Sequence, residues 1–380
     1  MHIITRNFFK LLRAGVFKEN EEIEPMSAWK WRRTYDYALM HDLSALLSDG
    51  LDACRNQFFL QLPDDLQDEW YHSTQEIERK NRYGADVLNQ LYQELNRKQL
   101  RPILFDGYRL SALYDHPEHR LSSRINIFFP FSTQGQKADH WAQRNGININ
   151  DQEKDLFSYE WKEMKVYHYH TLQQLTNRLL NHSLQTIIEQ ELRESDVLHM
   201  NSNILSARGT LVNYEVTSNT LTLLYLFTVV AKRMLNNAVP LKQLVDIGIL
   251  LRKVGDRVDF VKLQTWLEKL HLLRVAHLSG LMLIEYLHFS VDEIPFLNSE
   301  QVSDTFVDLK KINYQLFSPA NNQPSMWYFS QGKDIFVHSS NSSAMIGHVQ
   351  RSVSSFRYYP QESITNFISS FLRSLSHIEE

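Results

Sequence analysis

Residues 122–129 read Ser-Ser-Arg-Ile-Asn-Ile-Phe-Phe. The alternation after Arg124 predicts a strand that presents Arg124 and Asn126 on one face, because strand side chains point to opposite sides in turn. Two carboxylates at that spacing would hold divalent metal and activate an attacking hydroxyl. Here one position is a fixed positive charge and the other a neutral amide. Whether the chain is an enzyme turns largely on that substitution.

Other residues nearby could also do chemistry. Asp106 ends an apolar run just before Gly107, where ligands often bind in α/β units. Its plainer role is to cap the helix that Gly107 opens. With Asp115 and Glu118 it could form a replacement acidic site. Arg109, Arg120 and Arg124 fall within one short stretch, and guanidinium forks suit a phosphate or an acidic partner. The alternative is an Arg124–Asp106 ion pair. His168 and His170 flank Tyr169 and share a strand face. With His116 and His119 they could offer imidazoles to a metal, but no closed ligand set of standard spacing is present, so no metal is expected. Lys242, Gln243 and Asp246 share a helix face, where Lys242 and Asp246 could be a surface pair. There is no Walker-type loop, no G-x-S-x-G and no recognisable Cys–His pair. The aromatic cluster Trp29, Trp31, Tyr35 and Tyr37 reads as core and rim, not as a ligand cage.

These residues need elements to position them. Residues 7–17, 27–51 and 63–99 have helical periodicity, the last with an acidic start. Residues 102–105 read as a buried strand, 108–114 as a short helix, 125–129 as a strand stopped by Pro130, and 133–145 as a helix ending at Gly146. Residues 156–161 and 164–169 read as strands joined at Lys162-Glu163. Helices are predicted at 172–192, 219–235, 241–253, 260–271 and 275–289, then at 300–318 and 361–376, with strand character at 325–338. The expected organisation is a helical region at 1–100, an α/β core at 101–171, a helical bundle at 172–300 and an extension at 301–380. The fold class is α+β, a small mixed sheet with helical elaborations on both sides.

Bulk properties narrow the class. The 380 residues are 43% hydrophobic, 22% charged and 12% aromatic, which suits a soluble globular protein with well-filled cores. A net charge of −4 argues against a general nucleic-acid binder. The single cysteine, Cys54, permits no internal disulfide and points to a reducing, cytoplasmic setting. Arg6, Lys10 and Arg13 interrupt the N-terminal apolar residues, so no signal peptide is expected. The longest apolar run, 221–231, is too short to span a bilayer, so no membrane partner is expected.

The stretch 102–129 resembles a known family, the bacterial nucleotidyltransferase-like proteins often called uncharacterised nucleotidyltransferases. In that family a strand ends in Leu-Lys-Gly, and a short helix ends near Tyr-x-x-Pro. An Arg and then Gly-Asp-Ile-Asp-Leu follow. This chain has Ile103-Leu104-Phe105-Asp106-Gly107, then 110–114, Pro117, Arg120, and Ser123-Arg124-Ile125-Asn126-Ile127. A later family strand, Val-Glu-x-His, is similar to Val166-Tyr167-His168. Residues 223–227 and 240–246 resemble downstream family helices, and the N-terminal Phe8-to-Gly15 pattern also fits.

The resemblance implies a nucleotidyltransferase fold and a site in which carboxylates hold metal around a triphosphate. It places those carboxylates at Arg124, Asn126 and Tyr167, and the family's lysine at Asp106. None of the three is an anionic ligand, so the metal chemistry is expected to be lost. An Asp106–Arg124 charge swap would explain two of the changes together. The leading expectation is a degenerate member, a pseudoenzyme without a cofactor, that binds a nucleotide, a phosphorylated ligand or a protein partner. The expected contacts are Asp106, Gly107, Arg109, Arg120, Arg124, Asn126, His168, Lys242, Gln243 and Asp246. One alternative is an active enzyme using Mg²⁺ and an NTP through relocated carboxylates. Another is a ligand-free scaffold.

Overall fold

The computed structural model describes residues 2–153, 155–194, 198–201, 213–236, 241–297 and 359–365. The expected helix 300–318, the expected strand 325–338 and most of 361–376 lie outside these residues; residues 360–365 are helical. The chain divides into two compact units. The first comprises Met1–Gln173, Ile187–Leu223 and Val245–Val258, and the second Gln174–Thr186, Leu224–Leu244 and Asp259–Glu380.

In the first unit α1 (Ile3–Leu12) runs into a π-helical turn, Arg13–Phe17. Two helices follow, α2 (Ala28–Met40) and α3 (Ser44–Ala53). The periodicity predicts one helix over 27–51. The break falls at His41-Asp42-Leu43, where Asp42 adopts φ 58°, a conformation that stops a right-handed helix. Gly50 lets α3 press on α1, since a Cβ there would stand 2.0 Å from the Leu11 carbonyl oxygen. The long α4 (Asp64–Arg97) carries Asp64 and Asp65 in its first turn, favourable beside the positive helix end.

A mixed sheet and its connecting helices follow, in the order β1 (Ile103–Leu104), α5 (Tyr108–Ser111), β2 (Ile125–Phe128), α6 (Ser132–Asn145), β3 (Ile147–Glu153), β4 (Leu156–Trp161) and β5 (Met164–Tyr169). Helix α7 (Arg178–Glu194), β6 (Leu198–Asn201), β7 (Asn213–Val216) and α8 (Asn219–Asn236) come next. The seven described strands lie in the order β3-β4-β5-β2-β1-β7-β6. Strand β1 is antiparallel to β2 and parallel to β7, while β2 is parallel to β5. The architecture is α+β, as the sequence predicts.

One face of the sheet is covered. Ile125, Ile127, Phe129, Phe157, Tyr159 and Val166 pack with Leu88, Leu91, Tyr92 and Leu95 of α4 and with Ala138 and Ala142 of α6. Each large side chain buried there contributes about 1.5–3 kcal/mol. The expected helix 172–192 starts later, at Arg178, because the Asn177 carboxamide accepts from the Leu179 and Leu180 amides and fixes the helix start.

The chain continues through α9 (Leu241–Val254), α10 (Phe260–Lys269) and α11 (Leu273–Leu287). In the second unit Asp259 caps α10 by accepting from the Lys262 amide, and Phe227 meets Phe296 edge-on at 5.1 Å. No described helix is long and apolar enough to cross a membrane.

Candidate functional site

The site grows from the ends of β1, β2 and β5. The Asn126↔Tyr167 pairing puts these two side chains on one face of the sheet. Ile125, Val166, Ile127 and His168 take the other, covered face. The face with Asn126 also carries Arg124, two residues earlier. The Arg124 guanidinium lies over the Tyr167 ring, 5.1 Å from its centroid. The Asn126 carboxamide is buried and donates to Asp106 Oδ2 at 3.2 Å. Asn126 Oδ1 is buried and has no hydrogen-bond partner among the described residues. The three positions to which the resemblance assigns carboxylates are thus assembled with Asp106.

Gly107 turns the chain out of β1 with φ 58° and ψ −109°, a backbone state that a side chain would strain. It starts α5 and sets Arg109, whose backbone amide donates to the Asp106 carbonyl at 3.2 Å. Arg109 is buried, and its Nη2 donates to Asn219 Oδ1 at 2.8 Å. Burial pushes its pKa down to about 10.

Behind this turn Arg120 forms a forked ion pair with Asp246 of α9. Its Nε donates to Oδ1 at 2.6 Å and its Nη2 to Oδ2 at 2.7 Å. Both side chains are essentially sealed from solvent, at 3% and 0% exposure. Burial alone would lower the Arg120 pKa, but the Asp246 carboxylate outweighs it and holds the group charged. Tyr114 donates its hydroxyl to Asp246 Oδ1 at 2.8 Å; burial and that carboxylate both raise its pKa. Arg120 also reaches the Gly107 carbonyl at 3.1 Å and stands 3.9 Å from Asp106. The surface-pair reading of Asp246 therefore fails, since its carboxylate is consumed in the interior. Lys242 and Gln243 lie a turn earlier on α9, the first half-buried and the second buried.

The remaining candidates sit elsewhere. His168 is fully buried on the covered face, with Nδ1 2.9 Å from Asp139 and Nε2 3.0 Å from the Tyr159 hydroxyl. His170 shares Asp139, at 2.8 Å. His119 is clamped between Asp49 and Glu78 and stacks on His116. Asp115 pairs with Lys253 and Glu118 with Arg82. Trp31, Tyr35 and Tyr37 are buried, and Trp29 is exposed at the rim.

Sequence reasoning missed Asn81, Asn219, Tyr114 and Asp139. Asn81 donates to the Glu118 and Arg120 carbonyls and accepts from the Ser122 amide, which pins the loop that carries Arg120. A signal existed: Asn81 is a short polar residue at a buried position of α4.

A family model described as uncharacterised nucleotidyltransferase matches residues 27–288, well over half of the chain. The chain belongs to this family. No curated protein and no solved structure matches it. In a nucleotidyltransferase the metal needs hard anionic oxygens, and Arg124 and Tyr167 supply none. Arg120 also brings positive charge near Asp106. Among the described residues no group of three or more His, Cys, Asp or Glu is placed to hold a metal ion. The residues on this face do not fit a divalent cation.

Proposed function

We propose that this nucleotidyltransferase-family chain is catalytically degenerate and binds a nucleotide or another phosphorylated ligand without metal. The observation that carries the reading is the Arg124–Tyr167 stack beside the Asn126–Asp106 hydrogen bond, set where a transferase would hold its metal. A guanidinium replaces metal as the positive charge, and the Tyr167 ring offers a surface on which a base can stack. The orphaned Asn126 Oδ1 is an acceptor for a ligand donor. The enzymatic alternative has less support, because Asp115 and Glu118 are engaged by Lys253 and Arg82. A cytoplasmic setting belongs to the same proposal.

Calorimetry with ATP tests it. The expected result is binding of equal affinity in EDTA and in Mg²⁺, weakened in Tyr167→Ala. Binding that requires Mg²⁺ would favour an active enzyme. No binding in either condition would favour a scaffold.

A further inference from the structure

Three arginines of the described chain are buried: Arg13, Arg109 and Arg120. Two have carboxylate partners, Arg13 with Glu21 and Arg120 with Asp246. Arg109 has none among the described residues. It is 6% exposed, its Nη2 donates to the neutral Asn219 carboxamide, and its Nε has no partner. A buried, uncompensated guanidinium costs several kcal/mol. The pKa direction agrees with this geometry, for burial is its one cause and no neighbouring carboxylate opposes it.

The location adds meaning. Strands β1 and β7 are parallel neighbours, with Leu104 opposite Val216. Each then leads into a helix, β1 through Gly107 into α5 and β7 through Ser218 into α8. Arg109 comes from α5, and Asn219 opens the 18-residue α8. Their hydrogen bond therefore lies at the carboxyl edge of two parallel strands, against the positive end of a helix. Glu191 is close to that helix end, where it accepts from the Ser218 hydroxyl at 2.6 Å. It does not serve as the counter-charge of Arg109, whose pKa no carboxylate perturbs.

We propose that Arg109, with Asn219 and the start of α8, forms an oxyanion site that takes the phosphoryl group of the ligand. The inference rests on the metal-free binding reading for the nature of that ligand, and adds where its charge is met. Arg109 supplies, from inside the fold, a second positive charge in addition to that of Arg124, and its forked donors match phosphate oxygens.

Inorganic pyrophosphate in EDTA is the probe, with the full chain, read by calorimetry and by the shift in unfolding temperature. Wild type is expected to bind and to be stabilised. Arg109→Gln is expected to weaken binding roughly ten- to hundredfold, the range for losing a charged hydrogen-bond donor. Asn219→Asp places a carboxylate beside Arg109. It is expected to raise the unfolding temperature without ligand and to abolish the pyrophosphate response. That second variant decides the matter if Arg109→Gln does not fold. Absence of pyrophosphate binding in wild type, or undiminished binding in either folded variant, would overturn the proposal. Metal-free ATP binding that is equal in wild type, Arg109→Gln and Asn219→Asp would sink this site and leave the broader reading standing. Arg109-dependent pyrophosphate binding without ATP binding would do the reverse.

Discussion

Substituting Asp246 by Asn gives the sharpest test of how the turn at Gly107 is held. Arg120 is 3% exposed and stays charged, so the variant leaves a buried guanidinium facing a neutral amide. Two short hydrogen bonds between opposite charges, at 2.6 and 2.7 Å, are lost or reduced to one bond from the guanidinium to a neutral amide oxygen. Removing one partner of a buried pair costs about 3–5 kcal/mol, and the remaining amide acceptor puts Asp246→Asn near about 3 kcal/mol. Urea denaturation followed by tryptophan emission measures it. The paired change Arg120→Met with Asp246→Leu, made in a Tyr114→Phe background so that the Tyr114 hydroxyl is not left without its acceptor, should recover more than half of that loss, because no charge then remains buried. The groups that Arg120 leaves behind have other partners: the Gly107 carbonyl accepts from the Leu110 and Ser111 amides, and Ser122 Oγ meets Ser111 Oγ. A loss below about 1 kcal/mol for Asp246→Asn, or a double variant worse than the single, would refute the reasoning.

Other outcomes follow from the same physics. His119 has its pKa raised from 6.5 to about 9: burial lowers it, but Asp49 and Glu78 more than compensate. Its protonated form therefore stabilises the fold fully below about pH 6.5, and that contribution fades as pH rises through about 9. The unfolding midpoint of wild type should fall across this window relative to His119→Gln; parallel profiles would contradict the assignment. Gly107→Ala should destabilise by about 1–3 kcal/mol, measured by denaturation, since φ 58° with ψ −109° is a glycine conformation. Asp259→Ala should cost about 1 kcal/mol through loss of the α10 cap, and Asp259→Ser should restore most of it.

The fold was legible where local chemistry decides it. The β4–β5 hairpin matches its prediction because Lys162 and Glu163, at φ 49° and 59°, make a tight turn between two alternating strands. Strand β3 was missed because Ile-Asn-Ile-Asn-Asp-Gln-Glu is largely polar, as suits a strand at the sheet's edge. The four-residue β6 and β7 have too little pattern to register against flanking loops. In the site, Arg124, Asn126 and Tyr167 could be brought together from sequence because strand register and the family resemblance agree. The Arg120–Asp246 pair could not, since its partners are 126 residues apart and Lys242 offered Asp246 a plausible neighbour one turn away. The exceptional standing of Arg109 was invisible too, because the lack of a carboxylate partner among the described residues is a property of the packed interior.

Nucleotidyl transfer from a radiolabelled NTP, in Mg²⁺ or Mn²⁺, bears most directly on the proposal that transfer chemistry is lost at Arg124, Asn126 and Tyr167. Wild type should transfer no label to protein or to small-molecule acceptors, and Asp106→Ala should be indistinguishable from it. Metal-dependent label transfer by wild type that disappears in Asp106→Ala would show that the site still performs catalysis.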